Sequence, residues 1–232
     1  HNPPMYNGFK VRDHRGAAVA PASLKRIEAW ISDLSPGVID MSLETAKNMG
    51  LVEVFDPTTA YIEYIQERLD LGSISRAGLT VAHDAMWGAS AGWFDHLLDG
   101  GSTRVHAIHQ DRNPIFPEMR QPEPIPPNID PLIRSVVRHG ADVGIANDGD
   151  ADRIGLVDEK GRFVTQLQVA GLLALYLLTV RHERGTIVKT LSSTAMLNTL
   201  GRQFGLDVVD TAIGPKHVGP KVIETDAMLG AT

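Results

Sequence analysis

The stretch Asn147-Asp148-Gly149-Asp150-Ala151-Asp152-Arg153 follows the apolar run Ala141 to Ala146 and precedes Ile154 to Val157. A short apolar run ending in a polar loop reads as a buried strand with the loop at its carboxyl end, where open α/β sheets bind ligands. Three carboxylates fall on alternate residues, and a tight loop can turn Asp148, Asp150 and Asp152 toward one point. Like charges resist that convergence unless a cation sits among them, so the spacing implies a hard divalent ion. Arg153 adds a planar donor suited to a phosphate beside the ion. Two other readings stay open. Asp and Gly tolerate turn conformations, so an acidic turn without metal is one. A calcium loop is the other, with Asp148, Asp150 and Asp152 as first ligands and Glu159 at its twelfth position. Against it, Arg153 stands where that loop needs glycine, and both flanks read as strands, not helices.

The 232 residues are 43% hydrophobic, enough for one large or two ordinary domains with a sizeable core. The formal charge is -6, and lysines and arginines do not cluster beyond pairs, which argues against nucleic acid and anionic membrane as partners. Anionic ligands would need local cationic sites. With no cysteine, disulfides and thiolate metal sites are excluded, and oxygen or histidine ligands remain. Val169 to Val180, the longest apolar stretch, is too short to span a bilayer. No signal peptide is visible, so a cytoplasmic location is expected. The chain opens at His1 without an initiator methionine and reads as a fragment.

Along the chain, Asn7-Gly8 reads as a turn before a strand at Phe9 to Val11. A helix runs from Pro21 through Leu34, with Leu24, Ile27, Ile31 and Leu34 on one face. Leu51 to Phe55 reads as a strand, Asp56-Pro57 starts a helix with Tyr61, Ile65 and Leu69 on one face, and Gly72-Ser73 closes it. Leu79 to Asp84 then opens a βα unit, with a small-residue loop Ala85 to Gly92 and a helix from Trp93 to Leu98. Arg104 to His109 is a further strand. Residues 113–127 carry six prolines and read as an ordered surface connection. His106, His109 and Asp111 make a poor metal site, because strand alternation puts the two histidines on opposite faces. A helix ends at Gly140, Asp142 to Ala146 is the strand before the aspartate loop, and Ile154 to Val157 with Arg162 to Val164 reads as a hairpin. From Gln166 the βα pattern repeats, with strands at Thr186 to Thr190 and Leu206 to Asp210. Lys189 before a Ser-Ser-Thr helix start suits a phosphate, or else is a solvated lysine beside an ordinary N-cap. Lys216 and His217, after Gly214, suit a sugar phosphate in the same way.

Taken together, these stretches resemble the α-D-phosphohexomutases, the phosphoglucomutase and phosphomannomutase superfamily. His1-Asn2-Pro3 with Tyr6-Asn7-Gly8-Phe9-Lys10 is similar to the end of that family's Thr-x-Ser-His-Asn-Pro loop, and Asp148 to Arg153 is similar to its magnesium loop. The resemblance implies an α/β fold of repeated βα domains with mixed sheets, in an incomplete chain. Residues 1–56 would be the rear part of the first domain, 57–162 the second with the metal loop, and 163–232 a partial third with the sugar-binding loop. It implies Mg²⁺ on Asp148, Asp150 and Asp152, phosphate contacts from Arg153 and Lys10, and a serine loop oriented by His1. Lys189 would line the cleft. Thr211-Ala212-Ile213-Gly214-Pro215-Lys216 resembles the substrate loop in its glucose-type form, with Gly214 and Lys216 at the sugar and His217 beside them. The phosphoserine would precede His1, and Asp226 to Gly230 resembles the approach to a Glu-Glu-Ser-Gly loop.

The activity so implied is reversible interconversion of hexose 1-phosphate and 6-phosphate, most simply of glucose, through hexose 1,6-bisphosphate. The phosphosugar is the partner, oligomeric state is left open, and these 232 residues alone are expected to be inactive. Two rivals remain: a haloacid-dehalogenase-like phosphatase, for which Asp148-Gly149-Asp150 would supply the Asp-x-Asp nucleophile motif, and a metal-binding module without catalysis.

Overall fold

The computed structural model describes residues 3–6, 8–33, 41–98 and 100–232. The expectations for His1 and Leu34 lie outside the described residues. The chain divides into two compact units, Pro21–Leu71 and His1–Ala20 with Gly72–Thr232.

In the smaller unit, helices α1 (Pro21–Asp33), α2 (Leu43–Asn48) and α3 (Thr58–Gln66) form where polar caps and apolar spacing favour them. Ser42 caps α2 by accepting the Thr45 amide at 3.1 Å, which satisfies one of the orphan donors of a helix start. No described residue of this unit is buried. The expected strand at Leu51 to Phe55 does not form: these residues are exposed, and no neighbouring strand offers a ladder among the described residues. The helix α2 between them and α1 was not expected.

The larger unit opens on irregular chain. Phe9 to Val11 is not a strand; Phe9 is fully open to solvent, and the local pairing is a single bridge between Arg12 and Ala18. Gly72 and Ser73 do not end a helix but lie inside α4 (Leu71–Arg76). From there the elements alternate: β1 (Thr80–Asp84), α5 (Trp93–Leu98), β2 (Arg104–Ile108), α6 (Asp130–His139), β3 (Val143–Asn147), β4 (Ile154–Asp158) and β5 (Phe163–Val164). They build one mixed sheet of order β2-β1-β3-β4-β5, in which β1 runs parallel to β2 and β3 while β4 and β5 are antiparallel. Strand β5 pairs with β4, so residues 163–164 belong to this first sheet.

The remainder is α7 (Gln166–Thr179), β6 (Ile187–Thr190), α8 (Ala195–Phe204), β7 (Val208–Thr211), α9 (Pro215–Thr225) and β8 (Leu229–Ala231). Its strands form an all-parallel sheet of order β7-β6-β8. Strand β8 was not expected; it is three residues long and exists because β6 offers it a register from Ile187 to Lys189. Capping chemistry sets the helix limits: a Thr165–Gln168 capping box starts α7, Thr194 caps α8, and Gly140 and Gly205 take left-handed conformations that close α6 and α8.

Two apolar cores hold these layers. Leu132 and Val136 of α6 pack on Ala82, Ala146 and Val157 of the first sheet, and Leu197 of α8 meets Ile187, Ala174 and Ala231 in the second. Gly144 of β3 permits the close seating of α6, since a Cβ there would stand 2.6 Å from Val136 Cγ2. In the first sheet, β1 leads out to β2 on one side and β3 to β4 on the other. The loops after β1 and β3 therefore diverge from adjacent strand ends, the topological switch point where such sheets hold ligands.

Candidate functional site

The aspartate loop begins where β3 leaves the sheet at that switch point. Two side chains close it onto one residue. Asp148 accepts the Arg153 amide at 3.0 Å, and Asn147 Nδ2 donates to the Arg153 carbonyl at 3.1 Å. Within the ring so formed, Ala151 adopts φ 59° and its amide reaches back to the Asp148 carbonyl at 3.0 Å. The result is convergent: one carboxylate oxygen from each of Asp148, Asp150 and Asp152 lies within 4.8 Å of the others.

Two neighbouring loops fix this ring from either side. The Ala89 amide donates to the Gly149 carbonyl at 3.0 Å, and a Cβ on Gly88 would sit 2.6 Å from that same oxygen, so the β1–α5 loop rests directly on the aspartate loop. On the other side the Gly149 amide donates to the Pro122 carbonyl at 3.2 Å, and a Cβ on Gly149 would meet Pro122 Cγ at 2.6 Å. The proline-rich connection is thus a wall of the site. Its Glu123 stands 3.6 Å from Arg153 Nη1. Backbone strain gathers here too: Met86, Trp87, His109, Phe116 and Glu118 have positive φ without being glycine, as is common where a fold fixes functional groups.

The charges of the loop act on one another. Asp148 is fully buried, and burial together with repulsion from Asp150 and Asp152 pushes its carboxyl up to about 6, although the Arg153 amide opposes this. Burial works to raise Asp150 as well, but the hydrogen bond and charge of Lys10 outweigh it and hold that carboxyl below its usual range. Lys10 Nζ lies 2.5 Å from Asp150 Oδ2 and 3.1 Å from Asp152 Oδ2, and these bonds raise the ammonium in turn. Arg153 Nε is 3.9 Å from both Asp148 Oδ2 and Asp152 Oδ1. The donor set is oxygen only, which suits Mg²⁺, Ca²⁺ or Mn²⁺, and a divalent ion would relieve the repulsion among the three carboxylates.

The phosphoglucomutase/phosphomannomutase family model for alpha/beta/alpha domain II matches residues 59–161, and that for alpha/beta/alpha domain III matches residues 166–231. The chain belongs to the α-D-phosphohexomutase superfamily. A "Probable phosphoglucosamine mutase" of Methanopyrus kandleri is 32% identical over 230 residues, 99% of this chain and 49% of that protein. The "Phosphoglucomutase/phosphomannomutase" of Thermococcus kodakarensis is 30% identical over 99% of this chain and 49% of its own length. A crystal structure from Thermus thermophilus, with a provisional phosphomannomutase designation, superposes with a TM-score of 0.87 at 31% identity, covering all of this chain and 51% of that one. The chain spans about half the length of the curated relatives it matches.

For this phosphohexomutase chain the structure brings together Lys10, Asp148, Asp150, Asp152 and Arg153, and sets Lys189 on β6 of the second sheet and Gly214, Lys216 and His217 at the start of α9. Lys189 is not a solvated side chain. It is 5% exposed and pairs with Asp210, its register partner on β7, at 2.7 Å. Gly214 takes φ 114° as the N-cap of α9, a conformation that L residues other than glycine rarely adopt, and Lys216 stands exposed in the first turn. His217 donates its amide to the Gly214 carbonyl at 3.0 Å. His106 and His109 go separate ways, the first stacked on His139 and the second bonded to Asp84 at 2.8 Å.

Sequence reading missed Asn147, Gly88, Pro122, Glu123 and His83. Of these, Asn147 carried a signal, since an amide directly before an acidic loop is a common turn-closing group. The others act through contacts across more than twenty residues of chain, and nothing local marks them.

Proposed function

We propose that this chain supplies the metal site and part of the sugar site of a phosphosugar mutase that interconverts hexose 1-phosphate and hexose 6-phosphate. The observation that carries the reading is the convergence of Asp148, Asp150 and Asp152 beside Arg153 and Lys10, in a chain of the phosphohexomutase superfamily. The three carboxylates would hold Mg²⁺, which when bound supplies positive charge to polarise a phosphoryl group. Arg153 presents a planar guanidinium to phosphate oxygens from the rim of the loop, where it is half exposed. Lys10 is a second cation for the phosphoryl group once an ion takes over its place on Asp150 and Asp152. At the second sheet, Lys216 and the α9 N-terminus at Gly214 offer donors to sugar hydroxyls, with His217 next to them. Lys189 would act from beneath that loop, held by Asp210. Phosphoryl transfer needs mostly positioning and charge stabilisation, and this set of groups provides both. Transfer would run through a phosphoserine and a hexose 1,6-bisphosphate, with His1 beside the serine loop.

Glucose phosphate is the first substrate to test, because Pro215 replaces the histidine of mannose-type loops. The relatives named phosphoglucosamine mutase favour glucosamine phosphate as the second reading. The gene product containing this chain should convert glucose 1-phosphate to glucose 6-phosphate with Mg²⁺ and a trace of glucose 1,6-bisphosphate, and lose that activity in EDTA. Faster turnover of glucosamine phosphate would assign the amino sugar. Release of inorganic phosphate with label on an aspartate would replace the mutase by a phosphatase.

A further inference from the structure

His83 is the penultimate residue of β1, fully buried, with its ring 4.2 Å from that of Phe94 on α5. An ordinary core residue at that place would be apolar. Instead the ring is the centre of a hydrogen-bonded line: Gln110 Nε2 is 3.4 Å from His83 Nδ1, and His83 Nε2 is 3.2 Å from Asn147 Oδ1. The direction of the line is fixed at both ends. The Arg153 carbonyl can only accept, so the amide that reaches it is Asn147 Nδ2 and the oxygen of Asn147 faces His83. Gln110 Oε1 accepts the Gly92 amide, so its nitrogen faces the ring. Every group is satisfied by one arrangement: a neutral His83 that donates from Nε2 and accepts at Nδ1.

We propose that His83 is the positioning residue of the metal loop, holding the Asn147 side chain in the rotamer that clamps the Arg153 carbonyl and so converges Asp148, Asp150 and Asp152. Its functional meaning rests on the metal-site reading above; its structural content does not. Burial holds the imidazole below its usual range, which agrees with a ring that must stay neutral to accept from Gln110. The loop's clamp has two halves, and only the Asn147 half depends on a side chain that could rotate to solvent. His83, locked between the sheet and Phe94, removes that freedom.

The experiment compares the chain with His83→Leu, His83→Gln and Asn147→Ala, first without metal. In His83→Leu, hydrogen exchange at the Ala151 and Arg153 amides should rise about five- to tenfold, as loss of one hydrogen bond permits, while β1 and β3 amides stay protected. His83→Gln puts an N–H donor close to Nε2 and should restore protection. Asn147→Ala, at the less buried end of the line, should reproduce the Leu result even if His83→Leu folds poorly. Combined with His83→Leu it should add nothing. In a second measurement, Mn²⁺ affinity by paramagnetic resonance should fall about tenfold in His83→Leu, as for the loss of an outer-shell partner, and return in His83→Gln. Unchanged loop exchange in both His83→Leu and Asn147→Ala, or failure of Gln to restore it, would overturn the inference. If the parent chain binds no Mn²⁺, the metal-site reading fails, and the exchange data still decide whether His83 orders the loop.

Discussion

The carboxyl ends of the two sheets carry different groups and hold them differently. At the first sheet, the aspartate loop is braced from β1 by Ala89, from the proline-rich connection by Pro122, and within itself by Asn147 and Asp148. At the second, Lys189 is buried on one partner, while Lys216 projects from the first turn of α9. The first end gathers three carboxylates in a braced loop; the second leaves Lys216 in solvent. Preorganisation belongs where charge must be concentrated, because three carboxylates will not converge unaided. An exposed donor such as Lys216 asks less of the fold, since it costs little to leave in water.

The sharpest way to break this comparison is to remove a ligand from the shaped end. Asp150→Asn should weaken Mn²⁺ binding by more than about a hundredfold, beyond the range seen for outer-shell partners. Lys216→Met at the other end should leave that affinity within about twofold, as for distant independent sites. Paramagnetic resonance of Mn²⁺ with each variant reads both. Equal losses would mean that the two ends form one charge system, and equal retention that the triad is no metal site.

How the two ends were legible follows the same division. The aspartate loop, the βα alternation after Leu79 and the glycine stop at Gly140 are local patterns, and sequence reading found them. Leu51 to Phe55 has equally good strand composition and forms none, because a strand is a pairing and its partner is not written in its own residues. Strand β8 is the converse, three residues of weak pattern recruited by an open edge of β6. Gly72 looks like a stop but lies within a short helix, since no positive φ is required of it there. At the site, the three aspartates stood out in the sequence, whereas the residues that brace their loop did not. Gly88 matters only because Gly149, far along the chain, comes to within contact of it.

A second test concerns the ground beneath the shaped end. Asp84, at the end of β1, accepts from His109 at 2.8 Å, with Asp84 fully buried and the Trp87 ring 4.7 Å from the imidazole. The hydrogen bond to Asp84 raises His109 above its usual range, burial works against this, and the charges of Asp84 and Glu118 reinforce it. A raised folded value means that the pair's contribution is complete below the unfolded imidazole value of about 6.5 and fades as pH rises through the folded one. His83 has the opposite sign: its depressed value costs stability as pH falls below the same reference. Melting temperatures of the parent and His109→Gln from pH 5 to 9 separate the two, because His83 is common to both. The difference between them should be largest at the acid end and shrink toward pH 9. A difference that does not vary with pH would show that His109 is held there as a neutral ring.

The smallest effect concerns Lys10, which occupies the ion's surroundings from the amino-terminal segment. Its ammonium bonds Asp150 and Asp152, two of the three carboxylates that would hold the metal. A cation bound to those oxygens must yield part of them when a divalent ion arrives, so Lys10→Met should bind Mn²⁺ more tightly. The pair is about half exposed, with Lys10 at 53%, and solvent keeps such contacts weak. A gain of roughly two- to fivefold is therefore expected, shrinking as salt is raised because exposed charges are screened. Turnover in the gene product should move the other way, since the same ammonium is then missing from the phosphoryl group. Opposite signs for affinity and rate would separate a counter-ion that gives way from a ligand-ordering residue, for which both would fall together. Weaker Mn²⁺ binding in Lys10→Met would place Lys10 among the groups that shape the loop, and the first sheet's end would then need its amino-terminal segment as much as it needs β1.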